Sequence, residues 1–147
     1  GSVITPDGRY LVAETFGNRI SAFDIDGDGL LVRHRVWAQF ADLPRTETFR
    51  MTLQDALVTP DGMCLDAEGA LWVADTSGRR VIRVAEGGGI LDEVPTEDAA
   101  FACMLGGHDG RTLFICTAPD YFVEARMAAR ESTLVAVRVD VPHDGRP

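Results

Sequence analysis

Three segments of this chain repeat one pattern. Leu11-Val12-Ala13-Glu14-Thr15, Trp72-Val73-Ala74-Asp75-Thr76 and Phe114-Ile115-Cys116-Thr117-Ala118 each follow a Gly-containing polar turn, and each is an apolar run ending in small or acidic residues. Self-similarity of this kind marks an architecture of stacked units, so it limits the fold more than any single motif does. The spacings are 61 and 42 residues. The second matches the roughly 40–45 residues of a four-stranded propeller blade. The first is longer by one loop, for which the polar, weakly periodic stretch from Leu43 to Leu57 is the obvious insertion.

Taken in order, Ser2 to Thr5 reads as a short inner strand and Arg9 to Glu14 as a second, with Thr5-Pro6-Asp7-Gly8 as the turn between them. Gly17-Asn18-Arg19 turns the chain, Ile20 to Ile25 alternates as a third strand, and Asp26-Gly27-Asp28-Gly29 precedes a fourth from Leu30 to Phe40. A second unit runs from about Leu57 to Val94 with turns at Asp66-Ala67-Glu68-Gly69, Ser77-Gly78 and Glu86-Gly87-Gly88-Gly89. The third has strands Phe101 to Leu105, Thr112 to Thr117 and Thr133 to Val141, with helix formers from Glu124 to Arg130 allowing one or two helical turns. The expectation is an all-β propeller with about three four-stranded blades, near residues 1–42, 56–98 and 99–142.

Composition narrows the function classes. With 147 residues and 46% hydrophobic side chains the chain can bury a core. A formal charge of −9 argues against nucleic acid and anionic membrane surfaces, because phosphate recognition requires clustered Lys and Arg. The sequence contains no apolar run of transmembrane length and no charged-then-apolar leader at its start. Cys64, Cys103 and Cys116 lie in apolar runs without metal-ligand spacing and read as buried, reduced thiols, which favours a cytoplasmic location.

The stretch from Pro60 to Thr76 has two acidic, turn-like segments where a hairpin needs one. Since Asp66-Ala67-Glu68-Gly69 already supplies the turn, Asp61 is free for another task. In a propeller the leading end of an innermost strand points toward the axis, so Asp61 is either a cation ligand and proton acceptor or a strand-cap aspartate. Asp26-Gly27-Asp28-Gly29 resembles the start of a calcium loop but lacks its later acidic positions, and reads as a turn. Glu14 and Asp75 read as exposed acidic turn residues and His108 as a solvent-facing turn histidine. His34 and His143 have no sequence neighbour to act with. No nucleophile elbow, phosphate loop or dinucleotide fingerprint occurs.

Three stretches carry a resemblance: Asp61-Gly62-Met63-Cys64-Leu65-Asp66 running on to Leu71-Trp72-Val73-Ala74, then Gly78-Arg79-Arg80-Val81-Ile82-Arg83-Val84, then Leu105-Gly106-Gly107-His108-Asp109-Gly110 leading into Leu113-Phe114-Ile115-Cys116. Together with Leu134 to Pro142 they resemble the SMP-30/gluconolactonase/LRE-like family. The resemblance implies a six-bladed propeller about twice this length, of which this chain is the C-terminal half. It also implies one divalent cation at the channel mouth, calcium or zinc, with manganese or magnesium as alternatives. Asp61 matches the family's ligand aspartate, which implies metal and catalytic roles for it. The ligand asparagine would stand directly before Gly1, and the ligand glutamate in a blade outside the chain. The implied activity is metal-dependent hydrolysis of sugar lactones or related esters. The half alone is expected to be inactive, its ring completed by the missing half or a second copy. Two alternatives remain: a non-catalytic binding propeller of the NHL type, and a strictosidine-synthase-like enzyme, which Val12-Ala13-Glu14-Thr15 with Asn18-Arg19-Ile20 also resembles.

Overall fold

A computed structural model of the chain describes residues 1–145 apart from 44 and 46. Three antiparallel sheets follow one another along the chain. The first contains β1 (Ser2–Ile4), β2 (Arg9–Glu14), β3 (Arg19–Ile25) and β4 (Leu31–Gln39) in that spatial order. After α1 (Phe49–Asp55) the second is built from β5 (Pro60–Leu65), β6 (Leu71–Asp75), β7 (Arg80–Val84) and β8 (Ile90–Pro95). The third orders β9 (Ala99–Gly106) beside β10 (Thr112–Ala118) and then β11 (Thr133–Arg138), with α2 (Val123–Ala128) between the last two. The first strands of successive sheets are neighbours, β1 packing against β5 and β5 against β9. Each sheet is thus a meander that starts on the inside, which is how a propeller ring is built. The third sheet differs from the four-stranded expectation. It has three strands among the described residues, and α2 lies in the connection between the second and third of them.

The side-chain period of two explains why the middle sheet carries the core. Every residue of β6 is buried. Leu71 and Val73 point into a cluster with Leu11, Ile20, Trp37 and Ile82, between the first and second sheets. Trp72 and Ala74 point the other way, into a cluster with Val81, Leu105, Leu113 and Ile115 between the second and third. The same alternation corrects the expectation that all three cysteines are buried. Cys64 and Cys103 are buried, but Cys116 stands between inward-facing Ile115 and Thr117 and is exposed.

The turns repeat as closely as the strands. Glu14-Thr15-Phe16-Gly17-Asn18-Arg19 and Asp75-Thr76-Ser77-Gly78-Arg79-Arg80 occupy the same loop in successive sheets. In both, the acid at the end of the second strand takes an ion pair from the Arg opening the third, at 2.9 Å in each case. Both also place the residue after glycine at positive φ, Asn18 at 52° and Arg79 at 50°. A Cβ on Gly78 would lie 2.1 Å from the Asp75 carboxylate, so glycine is what lets this acid turn inward.

Asp75 is therefore not the exposed turn residue expected from sequence. It is fully buried, accepting from Thr59 N at 2.9 Å, Gly78 N at 3.3 Å and Arg80 Nε at 2.9 Å. Glu14 is half-buried, bonded to Arg19 and Ser21.

The connection from Leu43 to Leu57, expected as loop, contains α1. Thr48 caps it, its Oγ1 accepting from Met51 N at 3.2 Å. Buried Asn18 holds the segment to the first sheet. Its Nδ2 donates to Asp42 O at 2.9 Å and Asp55 O at 3.0 Å, and its Oδ1 accepts from Leu57 N at 2.7 Å. At the far end of the sheets, Ala67 N donates to Pro142 O at 2.8 Å and Asp66 bridges to His143, so the last described residues cross back onto the β5–β6 turn.

Candidate functional site at the mouth of the inner strands

Antiparallel meanders bring particular loops to one end. The leading ends of β1, β5 and β9 share that end with the loops leaving β2, β6 and β10 and with the connection carrying α1. Within β5 the register shifts between Pro60 and Met63, leaving Asp61 and Gly62 outside the regular ladder. A bulge of this kind re-aims a side chain. The inner strands also meet closely there. A Cβ on Gly62 would lie 2.6 Å from Ala102 Cα, and one on Gly1 would lie 2.3 Å from Asp61 O.

Asp61, 40% exposed, lines a cavity of about 270 Å³ at this end. Its carboxylate Oδ1 is 3.9 Å from the Gly1 nitrogen. The walls come from all three sheets and from α1. Thr15 and Phe16 follow β2, Thr76 and Ser77 follow β6, Tyr121 follows β10, and Leu53, Thr59 and Phe101 complete the lining. Two of the hydroxyls are engaged within the protein. Thr59 Oγ1 accepts from Ser77 N at 2.7 Å, and Thr76 Oγ1 donates to Ala100 O at 2.9 Å. Asp61 is the charged group on this surface.

The other selected residues lie elsewhere. His108 is exposed in its Gly-rich turn. Asp26 organises its own turn, accepting from Asp28 N at 3.0 Å and Leu30 N at 2.9 Å. His143 sits against Gly110, whose added Cβ would meet the ring at 2.6 Å. His34 lies 2.8 Å from Ser21 Oγ, whose proton goes to Glu14. That order, with a buried Ser between acid and His, does not activate the hydroxyl, since the imidazole has to stand between the two. Burial alone would raise the Glu14 carboxyl, but hydrogen bonds from Arg19 and Ser21 outweigh it and hold it below its ordinary value.

Three buried structural residues stand out only in the structure, Asn18 and Asp75 at this end of the sheets and Asp66 at the far end. Asn18 reads from the sequence only as a turn residue, and Asp66, also fully buried, pairs with Arg83 Nε at 2.7 Å. The Acid-Thr-x-Gly-x-Arg repeat was the available signal for the buried acid at position 75.

A hard divalent cation takes about six to eight oxygen ligands. Among the described residues no group of three or more His, Cys, Asp or Glu could hold a metal ion. Asp61 fits one position of such a site and does not complete it.

The family model for the SMP-30/gluconolactonase/LRE-like region matches residues 1–119. The chain belongs to this family. It is 44% identical over 63 residues to regucalcin of Xenopus laevis, covering 42% of this chain and 21% of that protein. It is 29% identical over 133 residues to the 6-deoxy-6-sulfogluconolactonase of Pseudomonas putida, covering 77% of this chain and 45% of that protein. This family member thus spans less than half the length of the curated relatives it matches. Among solved structures, luciferin-regenerating enzyme superposes with a TM-score of 0.73 at 19% identity, over 97% of this chain and 46% of the other. Regucalcin from Agrobacterium tumefaciens, a calcium-binding protein, gives 0.68 at 20%, over 99% and 46%. Both likenesses establish the fold, part of a six-bladed propeller ring.

Proposed function

We propose that the intact protein is a metal-dependent hydrolase of sugar lactones or related esters, with Asp61 at its active centre. The observation that carries this reading is the placement of the Asp61 carboxylate on a cavity where three inner strands converge. Membership of a family that includes a sulfogluconolactonase supports it. So does the position of Gly1, since a residue joined to its nitrogen starts 3.9 Å from the carboxylate. That is where the family pattern puts an asparagine ligand.

In this reading Asp61 supplies one ligand to a divalent cation, calcium or zinc with manganese or magnesium as alternatives, and the remaining ligands lie outside the described residues. When bound, such an ion polarises an ester carbonyl and lowers the pKa of water. The chain's own contribution is threefold. Asp61 accepts a hydrogen bond or proton from water approaching the carbonyl. Phe16, Leu53, Phe101 and Tyr121 restrict water around it. The bulge in β5 fixes where the carboxylate stands. The C-terminal half of the ring, as this chain is read, is inactive without the complementary blades or a second copy, and works in the cytoplasm.

In the intact protein, Asp61→Ala is expected to lower kcat/KM for lactone hydrolysis by roughly 10²–10⁴-fold while circular dichroism stays unchanged. Wild-type activity in that variant removes Asp61 from the site. A second reading, a binding propeller without catalysis, is favoured by one observation, that Asp61 is the cavity's single ionisable acid. A lactone panel with and without chelator separates the two: turnover that the chelator abolishes supports the hydrolase, and ligand binding without turnover supports the binder.

A further inference from the structure

Much of the cavity that Asp61 lines is walled by hydrocarbon. Phe16, Leu53, Phe101 and Tyr121 come from four separate segments and face one cavity. Two of the rings are partly open to solvent at the rim, Phe16 by 46% and Tyr121 by 49%. Each is held by a second ring. Phe16 meets Phe49 of α1 edge-on, with centroids 5.4 Å apart and planes at 82°, and Tyr121 lies against Phe122 at 5.1 Å. Aromatic pairs in such tilted and edge-on arrangements attract beyond their area burial, so each rim ring has a partner that favours its position.

A polyhydroxylated ligand requires partners for its hydroxyls, and unpaired polar groups in a cavity are costly. Here the Thr76 hydroxyl is already donated to Ala100 O and Thr59 Oγ1 is engaged by Ser77 N and Asp75, which leaves Thr15, Ser77 and Tyr121 as the lining hydroxyls open to a ligand, few for a polyhydroxylated one. Most small-molecule sites are apolar with a few placed polar groups, commonly of about 300–1,000 Å³. At about 270 Å³ this cavity lies just below that range, with one charged group.

We infer that the substrate enters with an apolar substituent, a short alkyl chain or an aryl ring, against Phe16, Leu53, Phe101 and Tyr121, its ester group directed to Asp61. This rests on the hydrolase reading and narrows it from sugar lactones to lactones or esters bearing hydrocarbon.

The test compares the intact protein on δ-gluconolactone and on γ-lactones of increasing alkyl length, with calorimetric titration of γ-nonalactone in the presence of chelator. Specificity is expected to rise by roughly fourfold per methylene buried, until the cavity is full. Phe16→Ser and Tyr121→Ser, both at solvent-exposed rings, are expected to flatten that dependence and weaken γ-nonalactone binding at least tenfold in KM and Kd. Preference for δ-gluconolactone, with no gain from alkyl length, overturns the inference and leaves the hydrolase standing. If no lactone is turned over, the hydrolase reading fails. In that case, γ-nonalactone binding that the two variants weaken still upholds the apolar subsite, and absence of that binding overturns it.

Discussion

Asp61 and Asp75 are separated by a hairpin and end in opposite environments. Asp75 is fully buried and makes four hydrogen bonds that tie the end of β6 to Thr59, Gly78 and Arg80. Removing one partner of a buried ion pair leaves the others uncompensated, so Asp75→Ala is expected to cost roughly 3–5 kcal/mol, read as a lower urea midpoint. No change in midpoint refutes that role. Sequence alone singled out Asp61 because a second acidic turn was superfluous. It could not distinguish Asp75 from an exposed acid, because the contrast depends on Gly78 admitting the carboxylate and on Arg80 reaching back from the next strand. Asp66, paired with Arg83 in the same way, reads in the sequence only as a turn residue for the same reason.

At the scale of elements, the strand order was legible from alternation and turns, whereas the site depends on where strands touch. Gly62 is a point of close approach between β5 and β9. Gly62→Ala places a methyl 2.6 Å from Ala102 Cα, forcing the strands apart at an overpacking cost of roughly 1–3 kcal/mol. It is expected to reduce lactone turnover alongside stability, because the Asp61 bulge moves with the strand. Unchanged stability and activity count against that contact. Helix α1 was hidden because its seven residues have little intrinsic stability, and tertiary anchors hold it. One anchor is the fork from Arg45 to Asp55, with bonds of 2.7 and 2.8 Å. The Arg45 side-chain hydrogen bond, aided by its backbone N–H, lowers the Asp55 carboxyl to about 2. A depressed carboxyl stabilises the fold above its unfolded value and loses that contribution as pH falls through the folded one. The α1 anchor should therefore weaken between about pH 4 and pH 2. A carboxyl NMR titration is expected to give the low midpoint for Asp55, and Arg45→Ala to return it toward 3.8. A midpoint already near that value in the wild type removes the anchor.

For the whole molecule, β6 of the middle sheet is covered on both faces, while all three sheets keep apolar residues in the open, Leu91 on β8 of the middle sheet among them. Leu134 is 66% exposed on the third sheet, and Leu31 and Val36 are exposed on the first. Exposed apolar faces on a ring left half complete favour association. The 147-residue chain is expected to self-associate with rising concentration in sedimentation velocity. A monodisperse monomer at all concentrations contradicts the half-ring reading. Among the described residues no helix is long and apolar enough to cross a membrane. By itself the sequence determined the repeat, the order of the strands, the family resemblance and the one acid left over by its turns, since all follow from local periodicity and turn chemistry. Only the tertiary structure decided which acids are buried, that α1 and the aromatic side chains gather around Asp61, and how closely the inner strands meet. Those features come from residues distant in sequence packing together, and their distances are set by the stacking of whole sheets.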